Sequence, residues 1–358
     1  MNDVLALLRP DLRDFAGYAS ARRAQATGTV WLNANESPSP SLADGGLSLN
    51  RYPEPQPSAL RERMAWLYGV RAEQLMVTRG SDEGIDLLVR AFCRAGVDAV
   101  LIAPPCFGMY AVCARVQNAP LVEVPLEETD GTWSLDLPGV IEAVAGRKVR
   151  IVFLCSPANP TGQALSLAQV RGLAEALQGR AILVVDEAYA EYSSVASASR
   201  LLADFPGLVV LRTLSKAHAL AGARVGALLA GAALISILRN LSAPYPVPAP
   251  SAALALAALS DAGIDQSRRR CQLAVDERGA LRRELTLLAG VRRVYASEGN
   301  YLLARFADAQ AAFERLLAAG VVVRDMRAMA GLQDALRISI GSAEENRALL
   351  SALQQVPA

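Results

Sequence analysis

The strongest constraint on this chain is an alternation of short apolar runs with stretches of helical periodicity. Seven runs stand out: Leu75 to Thr78, Ala99 to Ala103, Leu121 to Val124, Val149 to Cys155, Ala181 to Asp186, Leu208 to Thr213 and Val225 to Ala230. Most are separated by amphipathic segments such as Glu83 to Arg94, Gly108 to Val116 and Ser166 to Gln178. Strands buried on both faces read as unbroken apolar runs, and parallel neighbours need a crossover that is usually a helix. The alternation therefore predicts an α/β domain with a mostly parallel sheet covered on both faces.

The pattern changes after the proline-rich stretch Ala243 to Ser251. Helical segments follow, Ala252 to Leu259 and a long charged one from Gln266 to Leu288. Beyond Gly290 the strand candidates are Val291 to Ala296, Tyr301 to Phe306, Val321 to Arg324 and Leu336 to Ile340, with a helix from Asp308 to Ala319. This reads as a second, smaller α+β domain. The chain's 358 residues, 52% of them hydrophobic, suffice for two cores of ordinary size.

Lys and Arg number 36 against 35 Asp and Glu, so no general field draws the molecule to nucleic acid or an anionic membrane. Small-molecule ligands are expected instead. The five cysteines (Cys93, Cys106, Cys113, Cys155, Cys271) show neither a CxxC pair nor metal-ligand spacing, which points to a reduced, cytoplasmic setting and no metal site. Asp3, Arg9, Asp11, Arg13 and Asp14 make the start unlike a signal peptide. Of two apolar stretches, Val225 to Leu238 is too short to span a bilayer, and Leu241 to Ser260 carries Pro244, Pro246, Pro248 and Pro250.

Four of the apolar runs end in residues that carry chemistry. Lys216 follows Leu208 to Thr213 in a stretch of small residues, with Arg224 downstream. A nucleophilic amine must be neutral, so it wants partial burial and a nearby cation. Gly80-Ser81-Asp82-Glu83-Gly84 opens a helix after Thr78, where backbone N–H groups form an anion nest; an acidic N-cap is the simpler alternative. Asp186, with Tyr189 beyond it, closes another run, and a buried aspartate needs a partner such as a protonated ring nitrogen, whereas a solvated turn would need none. Asn159, held between Pro157 and Pro160, sits in a rigid turn able to present its amide. Together these supply what pyridoxal phosphate requires: a phosphate cradle, a donor for the 3-oxygen, a counter-ion for the ring nitrogen and an amine for the aldehyde.

On these residues the sequence resembles the fold-type I, pyridoxal-phosphate-dependent aminotransferases, and among them the histidinol-phosphate branch. The stretches carrying the resemblance are Tyr18-Ala19-Ser20-Ala21-Arg22-Arg23, Trp31-Leu32-Asn33-Ala34-Asn35-Glu36, Arg51-Tyr52-Pro53-Glu54-Pro55, Asp82-Glu83-Gly84, Asp186-Glu187-Ala188-Tyr189, Thr213-Leu214-Ser215-Lys216 and Asn300-Tyr301. The resemblance implies a large domain with a mostly parallel seven-stranded sheet plus a smaller α+β domain. It divides the chain into an arm over residues 1–30 packing on the small domain or a partner subunit, a cofactor domain over 31–247 and a small domain over 248–358.

The implied activity exchanges an amino group between L-histidinol phosphate and 2-oxoglutarate in histidine biosynthesis. The alternatives are a threonine-phosphate decarboxylase or a broader aromatic transaminase. By resemblance Lys216 bears the Schiff base and then moves the proton, Asp186 holds the ring nitrogen, and Asn159 and Tyr189 bond the 3-oxygen. Ser81, Asp82, Ser215 and Arg224 hold the phosphate, Phe107 stacks on the ring where the family commonly has tyrosine, and Tyr52 reaches the phosphate of the partner in a homodimer. Tyr18, Asn35, Asn159, Arg324 and Arg337 bind substrate. His218, the single histidine, is read as packing beside the lysine.

Overall fold

In a computed structural model, which describes residues 4–18, 20 and 28–354, the seven apolar runs form one sheet. Its strands are β1 (Leu75–Thr78), β2 (Ala99–Ile102) and β3 (Leu121–Glu123), then, after a small hairpin of β4 (Glu127–Thr129) and β5 (Thr132–Ser134), β6 (Val149–Cys155), β7 (Ile182–Asp186), β8 (Leu208–Thr213) and β9 (Gly226–Leu229). The order across the sheet is β1-β9-β8-β7-β6-β2-β3. All neighbours are parallel except β9, which runs antiparallel to both β8 and β1. That double reversal makes β1 parallel to β8, so the carboxyl ends of β1, β8, β7, β6 and β2 lie along one edge.

Ten α-helices are present among the described residues: α1 (Ser58–Tyr68), α2 (Ser81–Phe92), α3 (Met109–Val116), α4 (Leu137–Gly146), α5 (Leu167–Leu177), α6 (Ala232–Leu241), α7 (Ala249–Ala258), α8 (Asp261–Leu287), α9 (Ala309–Ala318) and α10 (Ala343–Gln354). Successive strand side chains point to opposite faces, so each strand feeds two cores. Leu75, Val77, Leu101, Val152 and Leu183 join one, and Met76, Val100, Phe153 and Val184 the other. The sheet is thus buried on both sides, which is why its strands read as continuous apolar runs.

The smaller unit has its own sheet, β10 (Val291–Val294), β11 (Tyr301–Phe306), β12 (Arg324–Asp325) and β13 (Ala335–Ser339), ordered β10-β11-β13-β12 and antiparallel throughout. The strand expected over Val321 to Arg324 is only Arg324–Asp325, because residues 321–323 are irregular. The run Val225 to Ala230 is a strand, but the apolar residues after it belong to α6, which Gly231 caps. Ala255, Leu259 and Ile264 pack into the large core, so the change of core falls within α8 rather than at residue 248.

Within the chain, the described part of the arm does not pack on the small domain. Val4, Leu7 and Leu8 insert into the large-domain core beside α6, Arg9 donates to the Arg90 carbonyl, and Asn240 donates to the Phe15 carbonyl. Residues 4–18 therefore dock on the large domain, not the small one, because their apolar side chains complete the layer over α2 and α6. Ala19 and residues 21–23 of the Tyr18 stretch lie outside the described residues. No helix among the described residues is long and apolar enough to cross a membrane, and no group of His, Cys, Asp or Glu among them is placed to hold a metal ion.

Candidate active site

The shared edge of the sheet carries the chemistry. A cavity of about 140 Å³ there is lined by Ser81, Phe107, Asn159, Asp186, Tyr189 and Lys216, with Asp82, Thr213, Ser215 and Arg224 completing it. Register explains the convergence: Cys155, Asp186 and Leu211 pair across β6, β7 and β8, and Thr213 and Thr78 both face Gly226 on β9. Residues that follow these positions in sequence must therefore emerge side by side.

Asp186 is 2% exposed. Its Oδ1 accepts from the Ala188 N–H at 3.2 Å and its Oδ2 from the Tyr110 hydroxyl at 2.8 Å. Burial pushes its pKa up to about 6 against the pull of these two donors. Glu187, one residue on, points to the other face of the sheet. There it accepts from Ser197, the Ala198 N–H and Arg212, and so anchors the end of β7 without entering the cavity.

Asn159 donates to the Tyr189 hydroxyl at 3.2 Å and accepts from Arg337 Nη1 at 2.5 Å. The Tyr301 hydroxyl donates to the Ala158 carbonyl at 2.7 Å, its ring meets Tyr189 edge-on, and the Arg337 guanidinium stands 5.6 Å from its centroid. The Glu298 N–H donates to the Gly162 carbonyl at 2.8 Å. The turn after β6 is thereby the joint at which the small domain meets the cofactor edge. Arg337 Nε is buried with no hydrogen-bond partner among the described residues, and Arg324 lies directly opposite Arg337 on β12. Like charges directly opposite on paired strands repel, so this pair favours an anion between them.

Lys216 projects into the cavity, its Nζ 5.9 Å from the centre of the Tyr189 ring. Partial burial, then the charges of Arg337 and Arg224, hold its pKa below the ordinary lysine range. An amine so placed is more often neutral and therefore nucleophilic. Ser267 on α8 donates to the Ala217 carbonyl at 2.8 Å, tying the loop beyond the lysine to the long helix.

The opposite end of the cavity is an anion cradle. The first turn of α2 offers the free N–H groups of a helix start, and Arg224 pairs with Asp82 at 3.2 Å while approaching Ser215 Oγ at 3.4 Å. Gly80 has φ +80°, and a Cβ there would collide with the Arg224 guanidinium at 2.6 Å. A Cβ on Gly226 would meet the Gly80 backbone at 2.7 Å. Two glycines thus let the end of β1, the start of β9 and the Arg224 guanidinium close on one another beside the start of α2.

The family described as "Aminotransferase class I and II" matches residues 20–353. The chain belongs to that family. This aminotransferase is 58% identical over 353 residues to the histidinol-phosphate aminotransferase of Stenotrophomonas maltophilia strain R551-3, covering 99% of this chain and 97% of that one. It is 55% identical over 354 residues to the enzyme of the same name from Xanthomonas euvesicatoria pv. vesicatoria strain 85-10, covering 99% and 98%. Among solved structures it resembles the Sinorhizobium meliloti histidinol-phosphate aminotransferase in complex with pyridoxal-5'-phosphate, at TM-score 0.77 and 25% identity over 85% of this chain and 82% of that one.

Not every residue singled out in the sequence reaches the cavity of this aminotransferase. Tyr52 is half exposed and stacks on Tyr245 at 4.5 Å. Tyr18 lines a separate cleft with Glu54, Arg61 and Asn240, and Asn35 is exposed with φ 55°. Glu36 joins two of the sequence stretches: it accepts from Arg51 at 2.9 Å and from the Tyr52 N–H at 2.7 Å. His218 is buried behind the lysine loop, its Nε2 3.9 Å from Glu191, and does not line the cavity. The residue that sequence reading missed is Tyr110. The signal available for it was a tyrosine on the apolar face of α3, since a buried phenol needs a partner.

Proposed function

We propose that this chain is a pyridoxal-phosphate-dependent transaminase. It exchanges the amino group between L-histidinol phosphate and 2-oxoglutarate, giving imidazole-acetol phosphate and L-glutamate, in histidine biosynthesis. The residues fit the cofactor: a buried carboxylate with a raised pKa, a helix start with an arginine beside it, an aromatic wall at Phe107 and an amine of lowered pKa share one cavity. When bound, pyridoxal phosphate supplies an aldehyde for the amine and a ring that withdraws electrons from the substrate's α-carbon.

The chain's own residues do the rest. Lys216 would be the nucleophile toward the aldehyde and, as a free amine, the base that carries a proton. Asp186 would hold the ring nitrogen, and Asn159 and Tyr189 would hold the 3-oxygen. The N–H groups of Ser81 and Asp82, with Ser215 and Arg224, would hold the phosphate.

The observation carrying the substrate reading is Arg337, fixed by Asn159, with an unpaired Nε and with Arg324 facing it across the strand pair. A guanidinium fork accepts both a carboxylate and a phosphate, as alternating use of glutamate and a phosphorylated amine requires. The 58% identity over 99% of the chain favours histidinol phosphate over decarboxylation of a phosphothreonine or broader aromatic transamination. Incubation of the purified, cofactor-loaded protein with L-histidinol phosphate and 2-oxoglutarate is expected to yield glutamate. Absence of glutamate would overturn the assignment.

The working unit is a cytoplasmic homodimer in which Tyr52 reaches the cofactor phosphate of the partner subunit. The support is that Tyr52 is exposed and outside its own cavity, beside the exposed apolar side chains Leu32, Leu42, Leu47 and Leu49 on the same segment. Tyr18 and Asn35 lie on or before that segment and belong to the same reading. Five free thiols are consistent with a reducing compartment. Sedimentation as a monomer at assay concentration would count against the shared site.

A further inference from the structure

We infer that Tyr110 is a positioning residue of this site: its buried hydroxyl fixes Asp186 and keeps that carboxylate charged toward the cofactor's ring nitrogen. The inference rests on the reading of Asp186 given above. Tyr110 is fully buried at the start of α3, stacked on Phe153 with centroids 4.9 Å apart and planes 2° from parallel, and edge-on to Phe107 at 5.6 Å. Phenylalanine would make both ring contacts. What the hydroxyl adds is the 2.8 Å bond to Asp186 Oδ2.

That bond has a specific consequence. With Ala188 donating to Oδ1 and Tyr110 to Oδ2, each oxygen of Asp186 is held by a donor from the protein itself. A carboxylate has about four acceptor positions, so two are left for a ligand while the plane of the group is fixed. A donor to the charged form also favours that form over the neutral acid. The surroundings offer little other help. Cys155 on β6 and Cys106 before α3 are neutral thiols raised by burial, Asp82 and Glu187 oppose the charge, and Lys216 lies across the cavity. Tyr110 also touches Phe107, so one side chain sets both the carboxylate and the aromatic wall on which the ring would rest.

The test is Tyr110→Phe in the full-length, pyridoxal-phosphate-loaded protein without amino-acid substrate. Its visible absorbance is followed against pH, together with the rate of cofactor release into a trap. With Asp186 less ionised, less positive charge faces the Lys216 nitrogen, which keeps its proton to higher pH. The absorbance transition is expected to move up by about one pH unit and release to quicken about tenfold. A transition that stays in place or moves down overturns the inference. Phe153→Leu disturbs the stack while leaving the hydroxyl. It should lower thermal stability without moving the transition, and an equal movement there would also overturn the inference. Histidinol phosphate enters none of these readouts, so failure of the substrate reading leaves them intact, and a silent Tyr110→Phe leaves the substrate reading intact.

Discussion

Asp186 lines the cavity and Arg337 stands beside it, bonded to the lining residue Asn159, but the two are held in different ways. Asp186 ends an interior strand of a seven-stranded sheet, paired in register on both sides, with both oxygens bonded by the same domain. Arg337 sits beside a two-residue edge strand of the smaller sheet, and its fixed contact is with Asn159 of the other domain. The carboxylate of Asp186 is therefore fixed within one domain, whereas the placement of Arg337 depends on two domains meeting at the turn after β6. Arg324, exposed on β12, and Tyr18, Asn35 and Tyr52 do not line the cavity.

If the two are separable, substitutions should divide into those that change cofactor spectrum and turnover together and those that change chiefly turnover. Lys216→Ala should have the largest effect, a loss of about ten-thousandfold in kcat together with the substrate-responsive visible band. Retention of that band and its response to glutamate would remove Lys216 from its role.

Asp186→Asn comes next, with kcat down about a hundred- to a thousandfold. It should also stabilise the cofactor-free protein. The folded-state pKa of Asp186 is raised to about 6, so its contribution is fully present below the ordinary carboxylate range and lost as pH rises through about 6. At neutral pH the buried charge then costs on the order of 1–3 kcal/mol, which asparagine avoids. Thermal melts should show the variant above wild type at pH 7, with the gap narrowing as pH falls through about 6. A constant gap would mean that Asp186 is not the titrating group.

Arg337→Gln should lower kcat/KM about ten- to a hundredfold for both anionic substrates while changing the unliganded cofactor spectrum less than Asp186→Asn does, since Arg337 acts on Lys216 only through its charge. A spectral change as large as that of Asp186→Asn would show the two to be coupled through Asn159. The smallest effect is expected for Phe107→Tyr, which keeps the ring and adds a hydroxyl. Its kcat/KM should stay within about threefold of wild type, and a larger change would place the hydroxyl among the groups that orient substrate.

Much of the cofactor edge was legible in sequence because its signals are local. An apolar run followed by Lys216, Asp186 or Gly80-Ser81 states both that a strand ends and what its end carries. The helices α1, α4, α6 and α10 and the β4–β5 hairpin were not assigned from sequence, and residues 4–18 of the arm dock on the large domain rather than on the small one. Short amphipathic pieces reveal which side is apolar but not which layer that side completes.

The amino-acid order by itself determined the three-layered α/β architecture, the strand ends and the residue types gathered there, since backbone periodicity and burial act over a few neighbouring residues. Tertiary structure alone decided three further matters: that β9 runs against both its neighbours and so returns α2 to the lysine's edge, that Arg337 finds Asn159 from 178 positions away, and that the Tyr110 hydroxyl meets Asp186. A hydrogen bond between distant segments depends on how whole elements pack, and a directional polar contact leaves no periodic trace in the sequence.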